Sequence, residues 1–212
     1  QISAALVRLS QDIENRIPGT KVTPRKAGGS EFLSGLFVRR QDTIVKIEPN
    51  LVIRGSIYPP ARRLISPKAI DLFKVSVESQ ILSDDELYAG KICAALDRQH
   101  PRDLFDIMML LRYGNFSVTM RRAFIVYLIS HDRPMIELLD PGLVDIRPVF
   151  ETEFQGMTLE EVGCEDLEKT REQLVAMIAD GLTVAEKQFI VSVKEGTPQW
   201  ELIGVEGIEN LP

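Results

Sequence analysis

Between Ser83 and Gly114 the chain carries two complete sets of helix start and stop signals, back to back. Ser83 with Glu86 three residues on is a capping box, which predicts a helix over 84–97. "RQHP" breaks it, and Pro101, suited to the first helical position, starts a second helix. Leu104, Met108 and Leu111 give that helix its apolar stripe, and Gly114 stops it. A break this short makes a tight corner. It crowds Lys91, Asp97, Arg98, His100, Arg102, Asp103 and Asp106 into sixteen residues.

The flanking sequence sets the class. Ile2, Leu6, Leu9 and Ile13 recur at helical spacing, so 2–16 reads as an amphipathic helix, stopped by Pro18-Gly19. "KVTPRK" reads as an edge strand because Pro24 has no N–H for a ladder, and Gly28-Gly29-Ser30 as a turn. "FLSGLFVRR" and "TIVKIEPN", separated by Gln41-Asp42, read as an antiparallel hairpin. "SIYPPARRLISPKAIDLF" is loop-like, with Ser66-Pro67 able to start a short helix. "KVSVESQIL" reads as a further strand. After the corner, "VTMRRAFIVYLIS" is a largely buried helix, "IRPVFETEF" is extended, and 158–180 and 183–194 are helices. A helix, then strands, then helices is an α+β order with an α-helical C-terminal part. It places a domain boundary at 82/83.

Composition excludes several functions. The chain has 212 residues, 44% of them hydrophobic and 26% charged, enough for a packed core. No apolar run is long enough to span a bilayer, so no membrane partner is expected. The start "QISAALVRLSQDIENRI" is no signal peptide, since charges break it. Two distant cysteines, Cys93 and Cys164, fit free thiols in a reducing cytoplasm. Neither has a His or Cys at metal-ligand spacing, which argues against zinc. There is no GxSxG, and "KAGGS" is no Walker loop. The net charge of −6 is uneven. Residues 1–133 hold 20 Lys and Arg against 14 Asp and Glu, whereas 134–212 hold 5 against 17. A basic front half is a surface for a polyanion such as a nucleotide or RNA, or simply a differently solvated face.

Each cluster has two readings. In "TIVKIEPN", Lys46 and Glu48 share one face and Val45 and Ile47 the other. A carboxylate beside a cation at a strand end can hold a metal or phosphate, or it is the polar side of a half-buried strand. At the corner, Lys91 and Arg98 share a helix face, and Arg102 and Asp103 fall in the next helix's first turn with Asp106 on the same face. Dipole, cap and an Arg98–Asp103 ion pair explain much of this. The same cations also suit a triphosphate clamp oriented by the acids. Cys93, Met108 and Met109 read as core, and His100 as an N-cap or surface residue.

"YAGKICAALDRQHPRDLFDI", residues 88–107, resembles the signature of the nucleotidyltransferase AbiEii/AbiGii toxin family: a Lys-bearing helix, an Arg, a basic-Asp pair, and Asp three residues on. These are Lys91, Arg98, Arg102-Asp103 and Asp106. "VKIEPN" resembles the family's second motif, with Glu48 as the third carboxylate of a polymerase-β-like site. The resemblance covers residues 1 to 130. It implies a nucleotidyltransferase-type mixed sheet with flanking helices, an incomplete one here. It also implies nucleotidyl transfer from a nucleoside triphosphate to an acceptor such as tRNA or other RNA, Mg²⁺, and a cognate antitoxin. Glu48, Lys91 and Asp103 would be catalytic and Glu48 a metal ligand, with Lys91, Arg98 and Arg102 on phosphate and Asp106 orienting the site. The family opens with Gly-Gly or Gly-Ser and then Asp-x-Asp on a first strand, and the chain lacks that aspartate pair. The expectation is a chain without its N-terminal catalytic strand and inactive alone. The rival readings are a non-catalytic interaction module and a decayed toxin remnant.

Overall fold

The computed structural model describes residues 2–27, 30–49 and 55–210, and these fall into two compact units, 1–54 and 55–212. In the first unit α1 (Ile2–Arg16) is followed by β1 (Thr20–Lys26), β2 (Leu33–Arg40) and β3 (Thr43–Ile47), an antiparallel sheet in the order β1-β2-β3. Gly19 ends the α1–β1 connection at φ +77°, a conformation that costs glycine nothing. The register pairs Val22 with Val38 and Val38 with Val45. Pro24 lies on β1, whose outer edge pairs with no strand among the described residues, so its missing N–H breaks no ladder. Gln41 turns the β2–β3 hairpin at φ +51°, a conformation that strains a non-glycine residue. Of the expected α1 stripe only Leu6 is buried, packing with Leu33, Leu36, Val22 and Ile47. The expected turn at Gly28-Gly29, and Asn50 at the end of "KIEPN", lie outside the described residues.

The second unit opens with β4 (Ala61–Leu64), α2 (Pro67–Phe73) and β5 (Glu78–Ile81), the two strands antiparallel. Its helices are α3 (Asp84–Arg98), α4 (Pro101–Tyr113), α5 (Val118–Ile129), α6 (Met135–Leu139), α7 (Arg147–Glu153), α8 (Cys164–Gly181) and α9 (Val184–Lys194), with 3-10 turns at Trp200–Leu202 and Ile208–Asn210. One core joins them. Ile92 and Leu96 of α3 meet Leu104 and Ile107 of α4, Phe124 and Leu128 of α5, Leu167 and Leu174 of α8 and Phe189 of α9. No helix among the described residues is long and apolar enough to cross a membrane.

The α+β class is as expected. Among the described residues the strands form two antiparallel sheets rather than one mixed sheet. Four local readings need correction. "ARRL" is a strand, not loop; it pairs with β5, and all four of its residues are exposed, so no apolar alternation marks it. The strand expected over 74–82 is only Glu78–Ile81, because Lys74 caps α2 in the left-handed region at φ +53°. "RPVFETE" is helical rather than extended: Pro148 sits in the first turn, where no N–H is needed, and Phe150 is buried. α8 begins at Cys164, not 158, with Asp166 accepting from the Gly163 N–H at 3.1 Å.

The units divide at 54/55, so residues 55–82 group with the helices. The cause is Glu86, fully buried at the start of α3. Its carboxylate accepts from the Ile57 and Tyr58 N–H groups at 2.9 and 3.1 Å and from the Tyr127 hydroxyl at 3.2 Å. The Tyr58 hydroxyl in turn donates to the Thr119 carbonyl. Ser83 accepts from the Glu86 N–H as the capping box requires, but the Glu86 side chain has turned to this other segment.

Candidate functional site

The α3–α4 corner is set by backbone chemistry. α3 ends where Gln99 takes a left-handed φ of +49°, and its N–H bonds back to the Ala95 carbonyl. His100 then N-caps α4, its Nδ1 accepting the Arg102 N–H at 3.1 Å, with Pro101 next in the first turn. Two residues therefore reverse the chain and bring the two charged faces together.

Across the corner the charges pair in rungs. The Lys91 Nζ donates to Asp106 Oδ2 at 2.5 Å, and the Arg98 Nη2 to Asp103 Oδ1 at 2.7 Å. Asp103 lies in the first turn of α4, where the helix dipole favours a negative charge. Its side chain is only 16% exposed, and Oδ2 is buried with no hydrogen-bond partner among the described residues. Arg102 faces a third carboxylate, Glu153 of α7, at 3.2 Å. So Lys91, Arg98, Arg102, Asp103 and Asp106 lie together at one corner, with the acids holding the cations.

The corner is braced from behind by a buried residue that the sequence did not single out. Gln99 donates through Nε2 to the Gly142 carbonyl at 2.8 Å, and its Oε1 accepts from the Val144 N–H and from Arg171 Nη1. Arg171 also donates to the Val144 carbonyl at 2.6 Å. These partners lie 43 to 72 residues away, so no local pattern points to them.

Glu48 belongs to the first unit and stands just beyond β3. Arg25 Nη1 donates to one of its oxygens, and Lys46 Nζ lies 2.8 Å from the other. The hydrogen-bonded Lys46 ammonium, with Arg25 adding to it, holds the Glu48 carboxyl below its usual range. Gly35 makes room for this side chain, since a Cβ there would lie 3.2 Å from Glu48 Cγ and 2.7 Å from the Ile47 carbonyl oxygen.

A family model described as nucleotidyl transferase AbiEii toxin, type IV toxin–antitoxin system, matches residues 1–199. The chain belongs to the AbiEii toxin family. MenT4, a nucleotidyltransferase toxin from Mycobacterium tuberculosis H37Rv, has a similar fold: TM-score 0.61 at 14% identity, over 99% of this chain and 74% of that one. None of the curated proteins compared matches the chain.

Membership of the AbiEii family raises the question of a divalent metal. Both Glu48 oxygens are engaged by cations, and Asp103 and Asp106 by Arg98 and Lys91. Among the described residues no group of three His, Cys, Asp or Glu side chains is placed to hold a metal ion. The sequence contains no Asp-x-Asp. Sharing an ion needs neighbouring carboxylates without competing cations, so the described residues do not fit Mg²⁺. Cys93 and Cys164 are buried free thiols. Burial pushes the Cys93 thiol well above its usual range, so it stays protonated as a core residue.

Proposed function

We propose that the α3–α4 corner of this AbiEii-family chain is the phosphate-binding part of a nucleotidyltransferase site. Lys91, Arg98 and Arg102 take the oxygens of a nucleoside triphosphate, and Asp103 and Asp106 orient those cations. The observation that carries the reading is the pair of rungs Lys91–Asp106 and Arg98–Asp103, mounted on a corner braced from within. Carboxylates repel phosphate without a bridging ion, so the acids position rather than bind. The nucleotidyl group would pass to an acceptor such as RNA, with a cognate antitoxin restraining the toxin in the cytoplasm.

The same reading has this 212-residue chain binding nucleotide without turning it over, because the described carboxylates do not fit the metal that phosphoryl transfer uses. Affinity without metal should be weak and salt-sensitive, with Kd of about 0.1–1 mM. The test incubates the chain with labelled nucleoside triphosphates, Mg²⁺ and a tRNA pool. No incorporation is expected. Robust incorporation that disappears in Glu48→Ala would overturn the inactivity and make Glu48 a metal ligand after all. Titration at low and high salt tests the binding half separately, and no binding even at low salt would sink it.

A further inference from the structure

The third carboxylate at the corner differs from the other two. Asp103 and Asp106 come from the same helix pair as the cations they hold, whereas Glu153 is brought in from α7. Phe150 and Phe154 anchor it: both are buried, their rings stand 5.6 Å apart, and Phe154 packs on Phe105 of α4 at 5.7 Å. Docked this way, Glu153 Oε2 receives two donors at once, Arg102 Nη2 at 3.2 Å and His100 Nε2 at 3.3 Å.

The His100 contact follows from its cap. Nδ1 accepts the Arg102 N–H, so the neutral ring carries its proton on Nε2. Nε2–H is therefore a donor, and it points at the same oxygen that Arg102 reaches. Two donors therefore converge on one anionic oxygen at the start of a thirteen-residue helix, where the dipole favours negative charge.

We propose that His100 and Arg102 form a phosphate-oxygen subsite and that Glu153 is its built-in occupant, displaced when a triphosphate binds; the proposal rests on the phosphate-binding reading of the corner. Asp103 cannot swing aside, because one of its oxygens is sealed in the protein. Glu153 is 52% exposed and has only to rotate into water. Exposed ion pairs of this kind hold weakly. A phosphate oxygen carries comparable charge and replaces both hydrogen bonds. While in place, Glu153 occupies the donors and repels an incoming anion.

The experiment titrates the full chain with ATP, inorganic tripolyphosphate and a tRNA pool in EDTA at low salt. Glu153→Gln, a conservative change on the surface, should tighten ATP and tripolyphosphate alike by about threefold to tenfold, less at high salt. His100→Asn keeps a good N-cap but removes the Nε2 donor. In the Glu153→Gln background it should weaken both ligands by about twofold to fivefold with the thermal midpoint unchanged. Glu153→Gln without tighter binding, while Arg102→Ala still weakens it, would overturn the occupant role. A gain confined to tRNA would overturn the triphosphate assignment. If Lys91→Ala, Arg98→Ala and Arg102→Ala all leave ATP binding unaltered, the underlying reading of the corner fails instead.

Discussion

Among the described residues the first unit buries a small apolar cluster of Leu6, Leu33 and Leu36, whereas the second closes a continuous core through most of its helices. Both carry paired charges, yet on very different foundations. Glu48, Arg25 and Lys46 stand on a three-stranded sheet backed by one helix. The rungs of the α3–α4 corner stand on helices whose inner faces are fully buried at Ile92, Leu96, Leu104 and Ile107. A site that must hold cations within ångströms of a ligand gains from the second arrangement, because packed helices cannot tilt without opening the core. The precision of the corner therefore comes from the helical core, not from its own ion pairs.

Emptying each core in turn tests whether the two units differ in this way. Phe124→Ala removes a fully buried ring of α5 from the core and should cost about 3–5 kcal/mol, enough to threaten the second unit. Leu36→Ala should cost about 2–5 kcal/mol, felt only in the smaller sheet unit. Denaturant unfolding with a probe in each unit reads both. If Leu36→Ala lowers helical and sheet stability together, the units do not unfold independently.

A second test uses the buried ion pair that ties α5 to α9. Arg121 Nε lies 2.9 Å from both Glu186 oxygens, and Glu186 is 4% exposed. Removing one partner strands the other, at a cost of about 3–5 kcal/mol. Burial alone would raise the Glu186 carboxyl, but the Thr183 N–H, Arg121 and the Thr183 hydroxyl outweigh it and hold it below its usual range. A depressed folded pKa gives stability that is fully present above the unfolded value and lost as pH falls through the folded one. The second unit should therefore weaken as pH drops below about 4.5. The Glu186→Gln variant should lack that part of the slope. An identical acid profile for variant and parent would show that other carboxylates carry the effect.

How much of this was legible in the sequence divides along the same line. Signals confined to a few neighbouring residues were readable: the Gln41-Asp42 hairpin, the Ser66 and Ser83 caps, the Pro101 start and the Gly114 stop. The Arg98–Asp103 pair, five residues apart, was readable for the same reason. What failed depends on distant partners. β4 exists because β5 pairs with it, and α7 because Phe150 packs on Phe154, which in turn packs on Phe105. The segment 55–82 joins the helices because Glu86 takes its backbone N–H groups. Gln99, Arg171 and Glu153 shape the corner across 43 to 72 residues, with no periodicity to announce them. Glu48 was singled out by resemblance. Lys46 beside it was legible from the two-residue period of a strand, whereas Arg25, 23 residues earlier, was not.

The smallest expected effects separate binding from support within the corner itself. Lys91 and Arg98 present their charge on the outer face of α3, and Asp103 sits inward of them. Lys91→Ala removes one proposed charge-assisted contact to phosphate, about 1.5 kcal/mol or more when partly desolvated, and should weaken ATP binding roughly tenfold. High salt should shrink that difference, since the pair Lys91–Asp106 is open to solvent. Asp103→Ala removes an acid from the first turn of α4 and the partner of Arg98, worth about 0.3–1 kcal/mol of stability through the helix dipole. It frees Arg98 rather than deleting it, so ATP affinity should hold or rise slightly. Calorimetric titration and thermal unfolding of the two variants side by side make the test. Opposite signatures are expected, with Lys91→Ala losing affinity at unchanged stability and Asp103→Ala losing stability at unchanged affinity. If Asp103→Ala instead abolishes binding while the fold stays intact, the carboxylate touches the ligand itself, and its buried Oδ2 would have to be reached through a bridging ion that the described residues alone do not hold.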